Sequence, residues 1–153
     1  MTSVALALHL LAAVIWVGGM FFAYFLLRPV AAAMFEPPRR LQLWLKLFDR
    51  FFRWVWAAVI LLPVTGVAMV MRVFGGFGSS PPYIHVMTLL GVVMIAIFCL
   101  VFFGHLGKLR DAVVTEQWPV GGARLDRMRK LIGINLILGL LVIAIAGGGR
   151  YIA

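Results

Sequence analysis

The chain has 153 residues, of which 64% are hydrophobic and only 12% are charged, and its formal net charge is +9. The charged share is about half of that found in soluble globular domains, which excludes a soluble enzyme, a disordered chain and a disulfide-rich scaffold. Its single cysteine, Cys99, lies in an apolar run and can form no internal disulfide.

Four apolar stretches are each long enough to cross a hydrocarbon core about 30 Å thick, which takes about 20 helical residues. In chain order they are residues 4–27, 54–71, 84–103 and 131–149. We expect helices, because a lone strand in lipid leaves its backbone unpaired and these stretches lack the alternation of a membrane barrel. The sequence therefore predicts an all-α integral membrane four-helix bundle, up-and-down, that forms a single domain over residues 1–153.

Basic residues are distributed unevenly between the segments that connect these spans. Residues 28–53 and 104–130 each contain six Arg or Lys, whereas Arg72 and Arg150 are the only two toward the other side. This is the positive-inside pattern, which predicts a multi-pass protein of the bacterial inner (plasma) membrane with both termini periplasmic. The basic segments are expected to touch the lipid bilayer and its anionic headgroups, and they show no chemistry for reading nucleic acid.

The two basic segments are expected to be long connections with some structure of their own. Apolar residues from Leu41 to Phe52 recur at helical spacing, and Pro37-Pro38 precedes them as at the start of a helix. This amphipathic helix either lies in the membrane interface or lengthens the second span. Within the other segment, residues 110–129 have the composition closest to that of a soluble protein, and we expect breaks at Pro119 and at Gly121-Gly122.

Two histidines are predicted at similar depth on different helices. His9 lies five residues past Val4, and His85 lies near the start of the third span, which runs in the same direction. First and third helices are diagonal neighbours in an up-and-down bundle, so the two imidazoles can face each other and hold a haem iron from both sides. Both histidines also have a purely structural interpretation. His9 would then form a hydrogen bond to a neighbouring helix, and His85 would lie at the start of a helix at the membrane–water interface.

Other polar or aromatic residues complete this predicted haem site. Trp16 is two helical turns from His9 on the same face and is expected to form a wall of the pocket. Arg72 and Arg150 lie at the outer surface, where guanidinium groups can pair with haem propionates. Asn135 in the fourth span is expected to make an interhelical hydrogen bond.

Methionines offer a second metal chemistry at the same end. Met69, Met71 and Met87 lie at the level of the histidines, and a thioether with an imidazole is a ligand set that suits Cu(I). Residues two apart on a helix point to different faces, so His85 and Met87 cannot easily coordinate the same ion. Methionine is also a common core filler. A copper site therefore stays open as the alternative to haem b.

The first span contains the run LHLLAAVIWVGG, in which His9 precedes Trp16 by seven residues and a glycine pair follows. This run resembles the opening helix of the copper resistance protein D (CopD) family and of the related HemJ-type protoporphyrinogen oxidases. The Thr65-Gly66 pair and the helix start at His85 fit the same pattern. The resemblance implies a bundle of four to five helices that binds haem b, with His9 as a candidate ligand. HemJ-type proteins carry a lysine where Met87 stands, which argues against protoporphyrinogen oxidation.

The sequence thus predicts a b-type haem protein of the CopD/HemJ-like kind, which transfers single electrons with a quinone or a periplasmic redox partner and leaves oligomerisation open. The first alternative is a protein that binds or transports Cu(I) or confers resistance to copper. The second is a non-catalytic membrane subunit in which the histidines join neighbouring helices.

Overall fold

The computed structural model describes the backbone of residues 2–151 and, apart from Arg150, their side chains. This part of the chain forms helices and no strand. Four of the helices are long and apolar enough to cross a membrane, so the predicted all-α membrane four-helix bundle is confirmed. They are α1 (Thr2–Met34), α2 (Pro37–Phe74), α3 (Pro82–Val114) and α4 (Trp118–Gly148).

The helices extend far beyond the predicted spans at one end of the bundle. α1 has 33 residues, so it is about 50 Å long at 1.5 Å per residue. The prediction of long connections over residues 28–53 and 104–130 is therefore wrong, because only residues 35–36 and 115–117 separate the helices there. The predicted spans stop at the first charges, whereas Arg and Lys are good helix formers and continue a helix once it leaves the hydrocarbon.

Local backbone signals set where these helices end. Pro37-Pro38 opens α2, as predicted. α3 ends just before Glu116, whose φ of 54° cannot continue a right-handed helix. The predicted breaks at Pro119 and Gly121-Gly122 are wrong, since Pro119 lies in the first turn of α4, where no N–H donor is needed, and both glycines lie inside that helix.

The amphipathic segment from Leu41 to Phe52 is confirmed, and it lengthens the second span as the first part of α2. Its apolar face is buried against the other helices. Within the bundle, the ring centroid of Phe98 lies 5.4 Å from that of Phe52, 5.2 Å from that of Trp56 and 6.2 Å from that of Trp16. These aromatic contacts join the first three helices in one core.

The helices pair as α1 with α2 and α3 with α4, and α4 also contacts α1 and α2. The predicted interhelical hydrogen bond is confirmed: Asn135 Nδ2 of α4 donates to the Met94 carbonyl of α3 at 3.2 Å. One turn further along α4, a Cβ built on Gly139 lies 2.7 Å from Val17 Cγ2. Only a glycine allows α1 and α4 to approach this closely.

The two ends of the bundle differ in charge. We call the end with the α1–α2 and α3–α4 connections the basic end, and the end with the α2–α3 connection the opposite end. The twelve Arg and Lys counted in the two basic segments all lie on helical extensions at the basic end. Between the ends, large apolar side chains such as Leu89, Ile137 and Ile60 are about 60% exposed or more, as lipid-facing residues are.

Candidate metal site

His9 lies between α1 and α2 toward the opposite end. Its Nδ1 atom is 2.8 Å from Thr65 Oγ1, and its side chain is half-buried. Thr65 itself is buried, so this contact lies within the interface between the two helices. The structural alternative stated for His9, a hydrogen bond to a neighbouring helix, is therefore present.

The direction of this hydrogen bond follows from the hydroxyl of Thr65. Two carbonyls flank Thr65 Oγ1: that of Leu61 at 2.5 Å and that of Leu62 at 3.3 Å. A hydroxyl has one hydrogen, and here it is donated to the backbone one turn earlier, which leaves the oxygen as an acceptor. His9 Nδ1 is therefore the donor, and Nε2 carries the free lone pair. Metal-binding histidines are oriented in the same way, with the second ring nitrogen donating to a fixed acceptor.

Gly66 makes room for this imidazole against α2. A Cβ built on Gly66 lies 3.4 Å from His9 Cε1 and 3.9 Å from Nδ1, so a methyl group at this position would be in ordinary contact with the ring. A side chain longer than that of alanine would displace the ring. The Thr65-Gly66 pair thus supplies both the acceptor and the space for His9.

Of the three methionines singled out by the sequence, Met69 is the one that shares a face with these contacts. It lies four residues beyond Thr65 and three beyond Gly66, one helical turn closer to the opposite end, and it is half-buried. Met71 is exposed, and its Sδ atom lies 3.9 Å from a Cβ built on Gly76 in the α2–α3 connection. Met69 therefore shares with Thr65 the face of α2 on which His9 makes its hydrogen bond.

His85 occupies a different environment. It is the fourth residue of α3, its side chain is exposed, and its ring centroid lies 6.2 Å from that of Phe77. Within the described residues, no hydrogen bond or ring contact joins His85 to His9. Met87, two residues further on, is half-buried. The predicted pairing of the two imidazoles across the core stays a prediction.

The structure also describes Trp16 and Arg72, two further residues of the predicted site. Trp16 is only 3% exposed and belongs to the aromatic core through Phe98. Arg72 is exposed in the last turn of α2. The side chain of Arg150 lies outside the described part of the structure. Among the described residues, no group of three or more His, Cys, Asp or Glu can hold a metal, so a site at His9 needs a thioether or a second histidine to complete it.

A cavity that was not predicted from the sequence lies at the basic end. It is about 380 Å³ in volume and lies between α1, α2 and α4. Arg28, Arg40 and Arg129 line it together with aromatic side chains, and no histidine does. The helical spacing of Leu41, Trp44 and Phe48 was the available signal, because all three residues line this cavity.

Fold and site together define an integral membrane helical bundle with an oriented histidine between its first two helices. A model of the family described as copper resistance protein D matches residues 45–148, about two thirds of the chain, and the chain belongs to that family. The match includes Thr65 and His85, whereas His9 precedes it. No curated protein and no solved structure matches.

Proposed function

We propose that the protein binds Cu(I) at the opposite end of the bundle, with Nε2 of His9 as one ligand and Sδ of Met69 as the second. The observation that carries this proposal is the hydrogen bond from His9 Nδ1 to Thr65 Oγ1, because it directs the proton to one ring nitrogen and leaves the other free. The family relationship to copper resistance proteins supports copper as the metal.

The chemistry of the donors fits this metal. Cu(I) is a soft ion that prefers thioether and imidazole ligands, and both are neutral. A site built from neutral donors needs no ionised side chain within the membrane, where carboxylates are costly. Carboxylates are absent from the predicted spans. Met71 and Met87 lie at the same end and are candidates for delivering the ion or receiving it.

We further propose that the opposite end faces the periplasm across the inner membrane. The basic end carries twelve Arg and Lys against five Asp and Glu, and the excess of basic residues marks the cytoplasmic side of membrane proteins. Copper would then be bound on the outer side, before it enters the cytoplasm. The copper ion is a ligand or cargo in this proposal.

Haem b bound by His9 and His85 is the second candidate function. The feature that favours it is the first-helix run around His9 and Trp16, which resembles HemJ-type proteins as well as the copper resistance family. The free Nε2 of His9 suits haem iron as well as copper, and the exposed ring of His85 has room to rotate. Arg72 would pair with a propionate. Bound haem would supply one-electron chemistry with a quinone or a periplasmic partner.

Metal analysis and a visible spectrum of the purified protein separate these functions. Cu(I) is offered in detergent solution with a competing chelator, to wild-type protein and to His9→Ala, with His105→Ala at the basic end as the matched control. The proposal expects one copper per chain, lost in His9→Ala and kept in the control, with no Soret band. A Soret band lost in both His9→Ala and His85→Ala would establish the haem function instead. If the protein binds neither copper nor haem, His9 is only a contact between helices in a non-catalytic subunit.

A further inference from the structure

The cavity at the basic end has the size and walls of a ligand site. Its volume of about 380 Å³ lies in the range of pockets that hold small organic ligands, roughly 300–1,000 Å³. Where α1 borders it, the helix widens into π-type turns over Phe22–Leu27, a distortion that is frequent at functional sites. Aromatic rings from three helices line it: those of Phe22, Tyr24, Trp44, Phe48, Phe51 and Trp118.

The cavity changes from apolar to cationic along the direction of the helices. Its deep part, toward the middle of the bundle, is lined by Gly19, Met20 and Ile132. Its outer part contains Arg28, which is nine residues beyond Gly19 on α1, or about 14 Å along the axis. The helices cross the membrane, so this polarity gradient runs along the membrane normal, as it does in a phospholipid.

Three helices each contribute one guanidinium to the outer part: Arg28 from α1, Arg40 from α2 and Arg129 from α4. Arg129 Nη2 pairs with Asp126 Oδ1 at 2.5 Å, and Asp126 is the only carboxylate among the residues that line the cavity. Arg28 stacks on the ring of Tyr24 at 5.2 Å from its centroid. Within residues 2–151, neither Arg28 nor Arg40 makes a salt bridge that offsets its charge.

These arginines are not freely solvated surface charges. Arg28 and Arg40 are both half-buried, whereas the neighbouring Arg39 and Arg53 are exposed and do not line the cavity. Two half-buried arginines that line one cavity without a carboxylate partner favour a bound anion there. Arginine recognises phosphate through paired N–H donors, which gives such an anion a fixed position.

We propose that this cavity binds one anionic phospholipid from the leaflet at the basic end. Its phosphate pairs with Arg28 and Arg40, and one acyl chain lies along Trp44, Phe48 and Phe51 toward the middle of the bundle. Basic pockets between membrane helices on the cytoplasmic side are known to bind anionic lipid headgroups. The proposal is independent of the metal site, which lies at the opposite end.

The test uses the whole purified protein after delipidation in detergent, with native mass spectrometry to count bound lipids. Dioleoyl phosphatidylglycerol is the anionic probe, and dioleoyl phosphatidylcholine has the same chains and no net charge. We expect one phosphatidylglycerol per chain, at a concentration about tenfold or more below that needed for phosphatidylcholine. Arg28→Gln/Arg40→Gln should remove this preference, and Arg39→Gln/Arg53→Gln, which removes the same charge from exposed positions, should keep it.

A second variant narrows the cavity at the level of its arginines without a change in charge. Gly122 lines the cavity, a Cβ built there meets no atom within 4 Å, and a Cβ on the adjacent Gly121 lies 3.1 Å from Leu41, the residue after Arg40. Gly122→Leu places an apolar side chain at the level where the headgroup is held and should lower occupancy by phosphatidylglycerol about tenfold. Equal binding of both lipids, or equal loss in the two double variants, would overturn the proposal in favour of diffuse attraction. Binding of a tetrapyrrole dicarboxylate that displaces phosphatidylglycerol in an Arg28-dependent way would overturn it in favour of another occupant.

Discussion

His9 of α1 donates its Nδ1 hydrogen to Thr65 of α2, and this single bond both joins two helices and decides which ring nitrogen is free. The acceptor is available because the hydroxyl hydrogen of Thr65 is directed to its own backbone. A polar contact of this kind between two membrane helices contributes about 0.6 kcal/mol on average, so its value for stability alone is small. Its main effect is on the imidazole, because it leaves the lone pair of Nε2 available to a metal ion.

Removal of the acceptor should weaken metal binding without unfolding the protein. Thr65→Val keeps the shape of the side chain and removes the oxygen, so the His9 ring loses the group that fixes its orientation. Loss of such an outer partner lowers metal affinity by about 10- to 100-fold. Thr88→Val is the matched control, because Thr88 also donates to the carbonyl four residues earlier but is exposed and has no histidine partner. Competition with a Cu(I) chelator measures both; equal affinities in the two variants would contradict the orienting role of Thr65.

The space beside His9 gives a prediction graded by side-chain size. At Gly66 an added Cβ meets His9 Cε1 at 3.4 Å, an ordinary contact, so Gly66→Ala should retain Cu(I) affinity within about threefold. Gly66→Leu extends into the ring and should lower the affinity at least as much as Thr65→Val does. The same chelator competition measures both variants. Similar Cu(I) affinities for the Ala and Leu variants would show that the His9 imidazole does not lie beside Gly66.

Close packing of α1, α3 and α4 at Gly139 predicts a loss of stability. A Cβ there lies 2.7 Å from Val17 Cγ2 and 3.1 Å from Met94 Cε, so Gly139→Ala forces the helices apart. We expect the free energy of unfolding to fall by about 1–3 kcal/mol, the usual cost of overpacking. Gly147→Ala is the matched control, because it gains the same helix propensity on the same helix while its Cβ meets no atom within 4 Å. Unfolding in detergent measures the free energy of unfolding of both variants. Equal values for Gly139→Ala and Gly147→Ala would contradict the close packing of α1 against α4.

The proposed orientation predicts which connections a membrane-impermeant thiol reagent can reach. In a Cys99→Ala background, Ser79→Cys lies in the α2–α3 connection and Gln117→Cys in the α3–α4 connection, and both positions are exposed. Reagent added from the periplasmic side should label Ser79→Cys alone, and Gln117→Cys should react only after the inner membrane is opened. The reverse pattern would place the basic end outside and the metal site at the cytoplasmic face.

Much of the fold was predictable from the sequence, because apolar length and charge distribution suffice to identify spans that must bury their backbone in lipid. Helix length was not predictable in this way, since charges mark the edge of the membrane and not the end of a helix. The connections at Glu36 and Glu116 are short for reasons of backbone geometry that composition does not reveal.

The candidate site was predictable only in part. His9 was identified because an ionisable group in a membrane span is rare. Its partner was visible in the Thr65-Gly66 pair, but the hydrogen bond depends on the register between α1 and α2, which no local pattern sets. The cavity around Arg28 and Arg40 was not predictable for a related reason: it is formed by helical extensions, and the charges in these segments are typical of connections between spans.

The most direct test of copper binding at His9 is equilibrium dialysis of the apoprotein against buffered Cu(I), followed by copper analysis of wild type, His9→Ala and Met69→Leu. We predict one copper per chain in wild type, none in His9→Ala and a reduced affinity in Met69→Leu. Copper bound equally by wild type and His9→Ala would contradict it, because the free Nε2 of His9 would then have no part in holding the metal.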